Sequence, residues 1–241
     1  QSDPGAMVNR PPRFPVVIRT MMQKPVVLHF VLGSALASFV GYAVVLWVPV
    51  YFVRIHEVGT GIAGTWLALL IGGGGALGTF LGGYFADRLS TRLGPSWRSW
   101  IIAIAIIAAL PFSLLTYFSD TAFQGFVAFV IPSILGGVFI GPTFAMVQSR
   151  MPIEMRSVAA SINLFVGNII GLGVGPYAVG AISDTLQPTY GGDSLRYALS
   201  ALAIVSIWSA LHFFLGGRRI RDEVLLVAPG TPSDSPTIER G

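Results

Sequence analysis

The sequence predicts an all-α membrane protein with six transmembrane helices, and three observations indicate this fold class. Six apolar stretches of 19 to 26 residues follow one another at positions 28–53, 62–86, 100–118, 122–147, 158–183 and 197–216. A helix needs about 20 residues to cross the hydrocarbon of a bilayer. The chain is 53% hydrophobic and only 11% charged, whereas soluble domains carry roughly 25% charged residues. Its basic residues, finally, are concentrated in alternate gaps between the stretches.

This alternation predicts the orientation of the helices in the membrane. The opposite set of gaps holds only Arg54 and Arg196. The first set, which includes both ends of the chain, holds Arg10, Arg13, Arg19, Lys24, Arg88, Arg92, Arg98, Arg150, Arg156, Arg218, Arg219, Arg221 and Arg240. Basic residues accumulate in short cytoplasmic loops. We therefore expect an integral, multi-pass protein with both termini in the cytoplasm, and we favour a bacterial inner membrane.

The domain organisation follows from the positions of the stretches. Residues 1–27 are interpreted as a cloning scar, QSDPGAM, followed by a basic cytoplasmic lead-in. Residues 28–217 form the six-helix transmembrane domain, and 218–241 are expected to be a disordered cytoplasmic tail rich in Pro, Ser and Thr towards its end. The loops between the helices are short, so consecutive helices are expected to be antiparallel neighbours.

Glycine and proline distinguish the individual helices. The second helix carries glycines at 72–75, 78, 82 and 83, and small residues let membrane helices approach closely. The fourth helix contains Pro132 and Pro142, and the fifth contains Pro176 after Gly175. Proline removes a backbone hydrogen bond, so these two helices are expected to be the most bent.

Several function classes are excluded by composition. The net charge is +4, but the basic residues are spread over four membrane-edge segments instead of one patch, which argues against nucleic-acid binding. With no cysteine, the chain has no disulfide, thiolate metal site or catalytic thiol. No metalloprotease or nucleotide-binding motif is present. We therefore expect no catalytic residue, metal or cofactor, and no enzyme.

The gap after the second helix carries a charged motif, GYFADRLSTR, at 83–92. Asp87 lies at the C-terminal end of its helix, where the helix dipole disfavours an anion, so it is expected to pair with an arginine or a neighbouring helix N-terminus. The motif resembles the cytoplasmic signature of the major facilitator superfamily, although serine and threonine replace its second glycine and one basic residue. The resemblance implies that Asp87, Arg88 and Arg92 form a conformational latch between two halves of a transporter. The alternative is an ordinary charged helix end.

A second stretch, GPTFAMVQSRMPIEMRSVAASIN at 141–163, resembles the tenth and eleventh helices of the same superfamily. The segments LFVGNIIGLGVGPYAVGAISD (164–184) and SLRYAL (194–199) are most similar to its spinster-like branch, whose substrates are sphingolipid- or lysolipid-like. Superfamily transporters have two six-helix halves, each made of two inverted three-helix repeats. The resemblance therefore implies the C-terminal half of such a fold, with an N-terminal six-helix half as its partner.

The same resemblance implies where substrate binds. In the family, the first and fourth helices of a half line the central cavity, the second and fifth flank it, and the third and sixth face lipid. Residues one turn apart project together. The candidate cavity residues are Ser38, Tyr42, Phe139, Thr143, Asn163 and Asn168. Either asparagine could instead be interhelical glue, worth roughly 0.6–2 kcal/mol.

The apolar stretches contain no Asp, Glu, Lys or Arg at mid-membrane depth. Coupled transporters generally need such a group, so any proton-coupling carboxylate is expected in the partner half. The predicted function is part of a secondary active transporter that moves an amphipathic or lipid-like small molecule across the bilayer by alternating access. The alternative is a self-contained six-helix protein that acts as a homodimeric carrier or channel.

Overall fold

Residues 13–227 are described by the structure, a computed structural model, and nearly all of them are helical. The expected cloning scar and most of the expected tail lie outside the described residues. Helix α1 (Phe14–Met22) precedes the first membrane span. Six spans follow: span one is α2 (Pro25–His56); span two is α3 (Thr60–Leu67) and α4 (Gly74–Leu93); span three is α5 (Trp97–Tyr117); span four is α6 (Ala122–Leu135) and α7 (Ile140–Ser149); span five is α8 (Arg156–Asn168) and α9 (Gly175–Tyr190); span six is α10 (Ser194–Ser200) and α11 (Leu202–Val227).

By length and hydropathy, the described residues contain five helical stretches able to cross a membrane. The last of them, Ile153–Leu226, comprises two spans, because the chain turns at Gly191, whose φ is 55°. Ser183 and Ser194 lie 3.1 Å apart across this turn, which places spans five and six side by side. The fold is therefore an all-α membrane bundle of six spans, as the sequence predicts.

Local sequence explains where the helices begin and end. Pro25 occupies the first turn of α2, where its missing N–H costs nothing. Thr121 and Gln124 form a reciprocal capping box at the start of α6. Gly94, with φ 107°, ends α4 in a conformation that residues with a Cβ rarely adopt.

The two three-helix repeats, spans one to three and spans four to six, pack against each other. Span one of the first repeat packs on span five of the second, and Trp47 Nε1 donates a 2.8 Å hydrogen bond to Pro176 O. Span four of the second repeat packs on span two of the first, and Thr79 Oγ1 lies 3.3 Å from Gly137 O. The first helix of each repeat thus contacts the second helix of the other, as two inverted repeats require.

Glycine makes both contacts possible. A methyl group at Gly78 would overlap the carbonyl oxygen of Ile134, and one at Gly82 would overlap that of Val138. On the other side, a Cβ at Gly171 would lie 2.9 Å from Ser38 O. Helix backbones therefore touch directly at these positions, which is the expected use of small residues in a membrane.

Spans two, four and five are interrupted, and span six has a one-residue break at 201 between α10 and α11. Span four loses its helix at 136–139, between Pro132 and Pro142, and span five contains a π-helical segment, Ile169–Val174, immediately before Gly175. The prolines of these two spans predict that both helices are bent. Span two contains a matching π-helical segment, Ala68–Gly73, although no proline lies in it. The second helix of each repeat thus carries the same irregularity.

Two buried clusters hold the bundle together, one at each end. Near the basic end, Phe30 packs edge-on against Phe213, and Val17 of α1 is fully buried. At the opposite end, Tyr51, Phe52 and neighbouring side chains form the second cluster. The level between these clusters is less completely filled, and a cavity lies there.

Polar bonds join the spans at each end of the bundle. The hydroxyl of the buried Tyr51 donates to Thr116 O at 2.9 Å and also lies 2.9 Å from His56 Nε2. At the basic end, the Nδ1 atoms of His29 and His212 are 3.1 Å apart, so one imidazole donates to the other. These two histidines, the ionisable side chains within the apolar stretches, thus connect spans one and six.

At both ends of the described range, helical structure extends beyond the predicted transmembrane domain. The basic lead-in contains α1, whose Val17 and Met21 are buried in the first cluster. Helix α11 continues beyond residue 217 to Val227, and Glu223 forms an ion pair with Arg150 at the end of α7. The boundaries set from hydropathy alone, at 27 and 217, therefore lie inside helical structure.

Candidate functional site

A cavity of about 420 Å³ lies at mid-depth in the bundle. This volume is within the range of small-molecule sites in proteins, roughly 300–1,000 Å³. All six spans contribute to its wall, and most of the lining is apolar. The six candidate residues all line it: Ser38 and Tyr42 of span one, Phe139 and Thr143 of span four, and Asn163 and Asn168 of span five.

The interruption of span four places two of these side chains. Pro142 has no N–H to donate to Val138 O, so the helix is not continuous through 136–139. Helix α7 restarts at Ile140, and Thr143 N donates to Phe139 O at 3.1 Å. Phe139 and Thr143 therefore sit at the first turn of a new helix, which presents them to the cavity.

Spans one and five meet through a ladder of neutral polar groups. Ser34 Oγ donates to Asn163 Oδ1 at 2.9 Å, and Tyr42 OH donates to Asn168 Oδ1 at 2.6 Å. Both asparagines are thus interhelical links and cavity residues at once, so the two readings of the sequence are compatible. Ser34 was not among the candidates, although it lies one turn before Ser38 on the same helical face.

Spans three and six reach the cavity as well as the outer surface. They expose apolar side chains such as Ile104 and Trp208, as expected for lipid-facing helices. They also contribute Ser113 and Ser209 to the cavity wall, and Ser209 Oγ donates to Gly33 O at 2.7 Å. These residues are not among the predicted cavity residues, because the family resemblance implies that the two spans face lipid. The serines at 113, 206 and 209 were the available signal.

The cavity wall carries no formal charge, since no Asp, Glu, Lys, Arg or His lines it. Within residues 13–227 there is also no cluster of three or more His, Asp or Glu side chains that could hold a metal ion. The arrangement can therefore bind a molecule by burying its apolar surface and by hydrogen bonding to its neutral polar groups.

The residues of the proposed latch lie far from this cavity, at the basic end of α4. The Asp87 side chain is 77% exposed, and Oδ1 lies 3.4 Å from Arg98 Nη2. Arg88 and Arg92 are exposed, and neither forms an ion pair with another residue of the described range. Asp87 thus pairs with an arginine at the start of the next helix, α5, while the side chains of Arg88 and Arg92 are exposed.

The departures from the signature motif have a visible consequence. Ser90 and Thr91 both donate to the carbonyl oxygen of Asp87. These bonds stay within the last turns of α4, which ends at Leu93 before Gly94. Ser90, which stands where the motif has its second glycine, therefore lies within the last turns of α4.

A six-span bundle built from two inverted three-helix repeats around a mid-depth cavity is the architecture of one half of a secondary-transporter fold. The family model "Major Facilitator Superfamily" matches residues 3–176, and the chain belongs to that superfamily. It is 29% identical over 85% of its length to an "MFS-type efflux pump" of Mycolicibacterium smegmatis. It is 25% identical over 79% of its length to "Protein spinster homolog 1" of Xenopus tropicalis.

Solved structures show the same fold. The bacterial homologue of the human lysosomal transporter spinster, inward-facing and unoccupied, superposes with a TM-score of 0.79 at 20% identity. The match covers 92% of this chain and 53% of that one. The two relatives named above are covered over 48% and 40% of their lengths, so the chain spans about half the length of the proteins it matches. The sequence similarity to the Xenopus spinster homologue confirms the spinster resemblance described in the sequence analysis.

The link between Tyr42 and Asn168 gives a direct test of the ladder. Replacing Tyr42 with Phe removes the hydroxyl and leaves Asn168 without its partner, so unfolding in detergent should become easier by about 1 kcal/mol. The double variant Tyr42→Phe with Asn168→Leu should cost less than the sum of the two single variants. Strictly additive changes in a denaturation cycle would contradict this contact.

Proposed function

We propose that the chain is the C-terminal six-span unit of a secondary transporter that moves an amphipathic, lipid-like molecule across the membrane. It does so by alternating access together with a second six-span unit. The observation that carries the proposal is the uncharged, mainly apolar cavity at mid-depth, with hydrogen-bonding side chains from spans one, four and five. An alkyl chain gains free energy by leaving water for such a surface, about 25 cal/mol per Å² buried.

The position of the irregular segments supports alternating access. The π-helical segment of span two and the break in span four contribute Ile71, Gly137 and Phe139 to the cavity wall. The π-helical segment of span five begins immediately after Asn168, which also lines the cavity. Irregular helix segments are common at functional sites of membrane proteins, where they line a cavity. Movement at these three places would change the width of the cavity without unpacking the clusters at the two ends.

The substrate class is supported by chemistry and by resemblance. The cavity has no charge to pair with an ionic ligand, so the part of the substrate that it holds is neutral. Coupling to protons is assigned to the second unit, because the cavity wall offers no titratable carboxylate. The similarity of the chain to spinster homologues is compatible with a lipid-like substrate.

We further propose that both termini face the cytoplasm of a bacterium. The basic ends of the spans support this orientation. Because the chain contains no cysteine, single cysteines can report it directly. A membrane-impermeant maleimide added to intact cells should label Glu57→Cys and should leave Ser90→Cys unlabelled until the membrane is opened. The reverse pattern would contradict the orientation.

Cysteine labelling also tests alternating access. In the complete gene product, with cysteines outside this chain replaced, Ser38→Cys lies in the cavity wall, and its labelling rate reports access from one side. A transported lipid analogue should change this rate, whereas labelling of Glu57→Cys should stay constant. A Ser38→Cys rate that is equal from both sides, and unaffected by any transported analogue, would contradict the mechanism.

A further inference from the structure

The threonine in the cavity wall lacks the partner that its residue type normally finds in a helix. Thr143 is only 1% exposed, lines the cavity, and its Oγ1 has no hydrogen-bond partner among the described residues. Threonine in a membrane helix usually donates to the carbonyl four residues earlier. Six other threonines do so here: Thr20, Thr65, Thr79, Thr91, Thr116 and Thr185. Thr143 is thus a buried polar group whose hydrogen-bonding capacity is unused.

The cavity wall contains more hydrogen-bond donors than the protein itself provides acceptors for. The hydroxyls of Ser113, Ser206 and Ser209 already donate to backbone carbonyls. Asn163 and Asn168 each use Oδ1 to accept a bond from span one, and neither amide nitrogen has a protein acceptor among residues 13–227. The hydroxyls of Thr143 and Ser38 and two amide N–H₂ groups therefore remain available, and what they require is an acceptor.

The chemistry of that acceptor is restricted by the cavity wall. A carboxylate or phosphate would lose its hydration with no cationic side chain to replace it, and a cation would find no carboxylate. A neutral oxygen with exposed lone pairs meets the requirement. An ester or amide carbonyl beside an alkyl chain provides it and leaves the apolar lining to the chain.

We propose that Thr143 is a specificity-determining residue that donates its hydroxyl proton to an uncharged ester or amide carbonyl of the substrate, assisted by Asn163. This inference rests on the proposed function, because it concerns the same cavity. It adds a chemical requirement to the substrate class: the transporter distinguishes an acyl linkage from an ether linkage of equal length.

A matched ligand pair tests this requirement. Monolauroylglycerol carries an ester carbonyl, and 1-O-dodecylglycerol replaces it with an ether while keeping the alkyl chain and the glycerol. Binding of both is measured with the complete gene product in lipid nanodiscs. The wild type should bind the ester about 5- to 10-fold more tightly, the net value of one hydrogen bond in a buried site.

Variants of Thr143 locate the source of this preference. Thr143→Val keeps the shape and removes the hydroxyl, so the preference should fall to about twofold or less, whereas Thr143→Ser should retain it. Thr185→Val is the matched control, because its hydroxyl already donates to Ala181 O and lies outside the cavity lining. An undiminished preference in Thr143→Val, or equal affinities for the two ligands in the wild type, would overturn the inference.

The outcome is separable from the proposed function. If the ester preference depends on Thr143 but neither ligand is transported into proteoliposomes, this inference stands and the transport proposal fails. If both ligands are transported at equal affinity and rate, the transport proposal stands and this inference fails.

Discussion

Replacing Gly78 with alanine should prevent spans two and four from packing. The added methyl group overlaps the carbonyl oxygen of Ile134, which belongs to a helix backbone and cannot rotate away. Separating the two helices loses their whole contact surface, at a cost of about 3 kcal/mol or more. The measurement is the yield of monodisperse protein in mild detergent, followed by thermal unfolding monitored by circular dichroism.

Gly83 provides the control in the same helix. A Cβ at this position has no atom within 4 Å, so Gly83→Ala should leave stability unchanged or raise it slightly through its better helix propensity, by up to ~1 kcal/mol. If the two substitutions lower the yield and the unfolding temperature equally, the close approach of spans two and four at Gly78 is wrong.

Replacing Asp87 with asparagine should strongly impair transport without affecting folding. If Asp87, Arg88 and Arg92 act on a second six-span unit, removing one charge shifts the balance between the inward- and outward-facing states. A shift of ~1.4 kcal/mol changes that ratio by about tenfold. Transport rate in proteoliposomes and cysteine accessibility from each side are the two measurements.

Arg98→Gln separates this role from a local one. The pair between Asp87 and Arg98 is exposed, and such pairs contribute only about 0–1 kcal/mol. Arg98→Gln should therefore reduce transport much less than Asp87→Asn. Equal losses in the two variants would show that Asp87 acts only through its pair with Arg98 and would contradict the latch.

The spans could be predicted because each depends on local properties of the chain. Apolar length alone places α2 and α5, and proline indicates the interruptions of spans four and five. By contrast, α1 is too short to register as an apolar stretch, and its burial depends on residues far away in the sequence. The π-helical segment of span two has no proline to indicate it.

The cavity was only partly predictable, for a related reason. Helical spacing and family resemblance brought Ser38, Tyr42 and Thr143 into one group, and the structure places them along one cavity. What spacing cannot show is which hydroxyls are already used. Ser113 and Thr143 are both small hydroxyl residues in apolar helices, and only the three-dimensional contacts distinguish a back-bonded hydroxyl from a free one.

The central claim is that these six spans form one unit of a two-unit transporter, and uptake into proteoliposomes tests it most directly. The 241-residue chain alone is compared with the complete gene product, using a fluorescent monoacyl lipid and a counterflow assay. We expect saturable uptake by the complete protein and none above protein-free liposomes by the chain alone, although the chain inserts and keeps its helices. Saturable uptake by the chain alone would contradict the claim and would favour a homodimeric carrier.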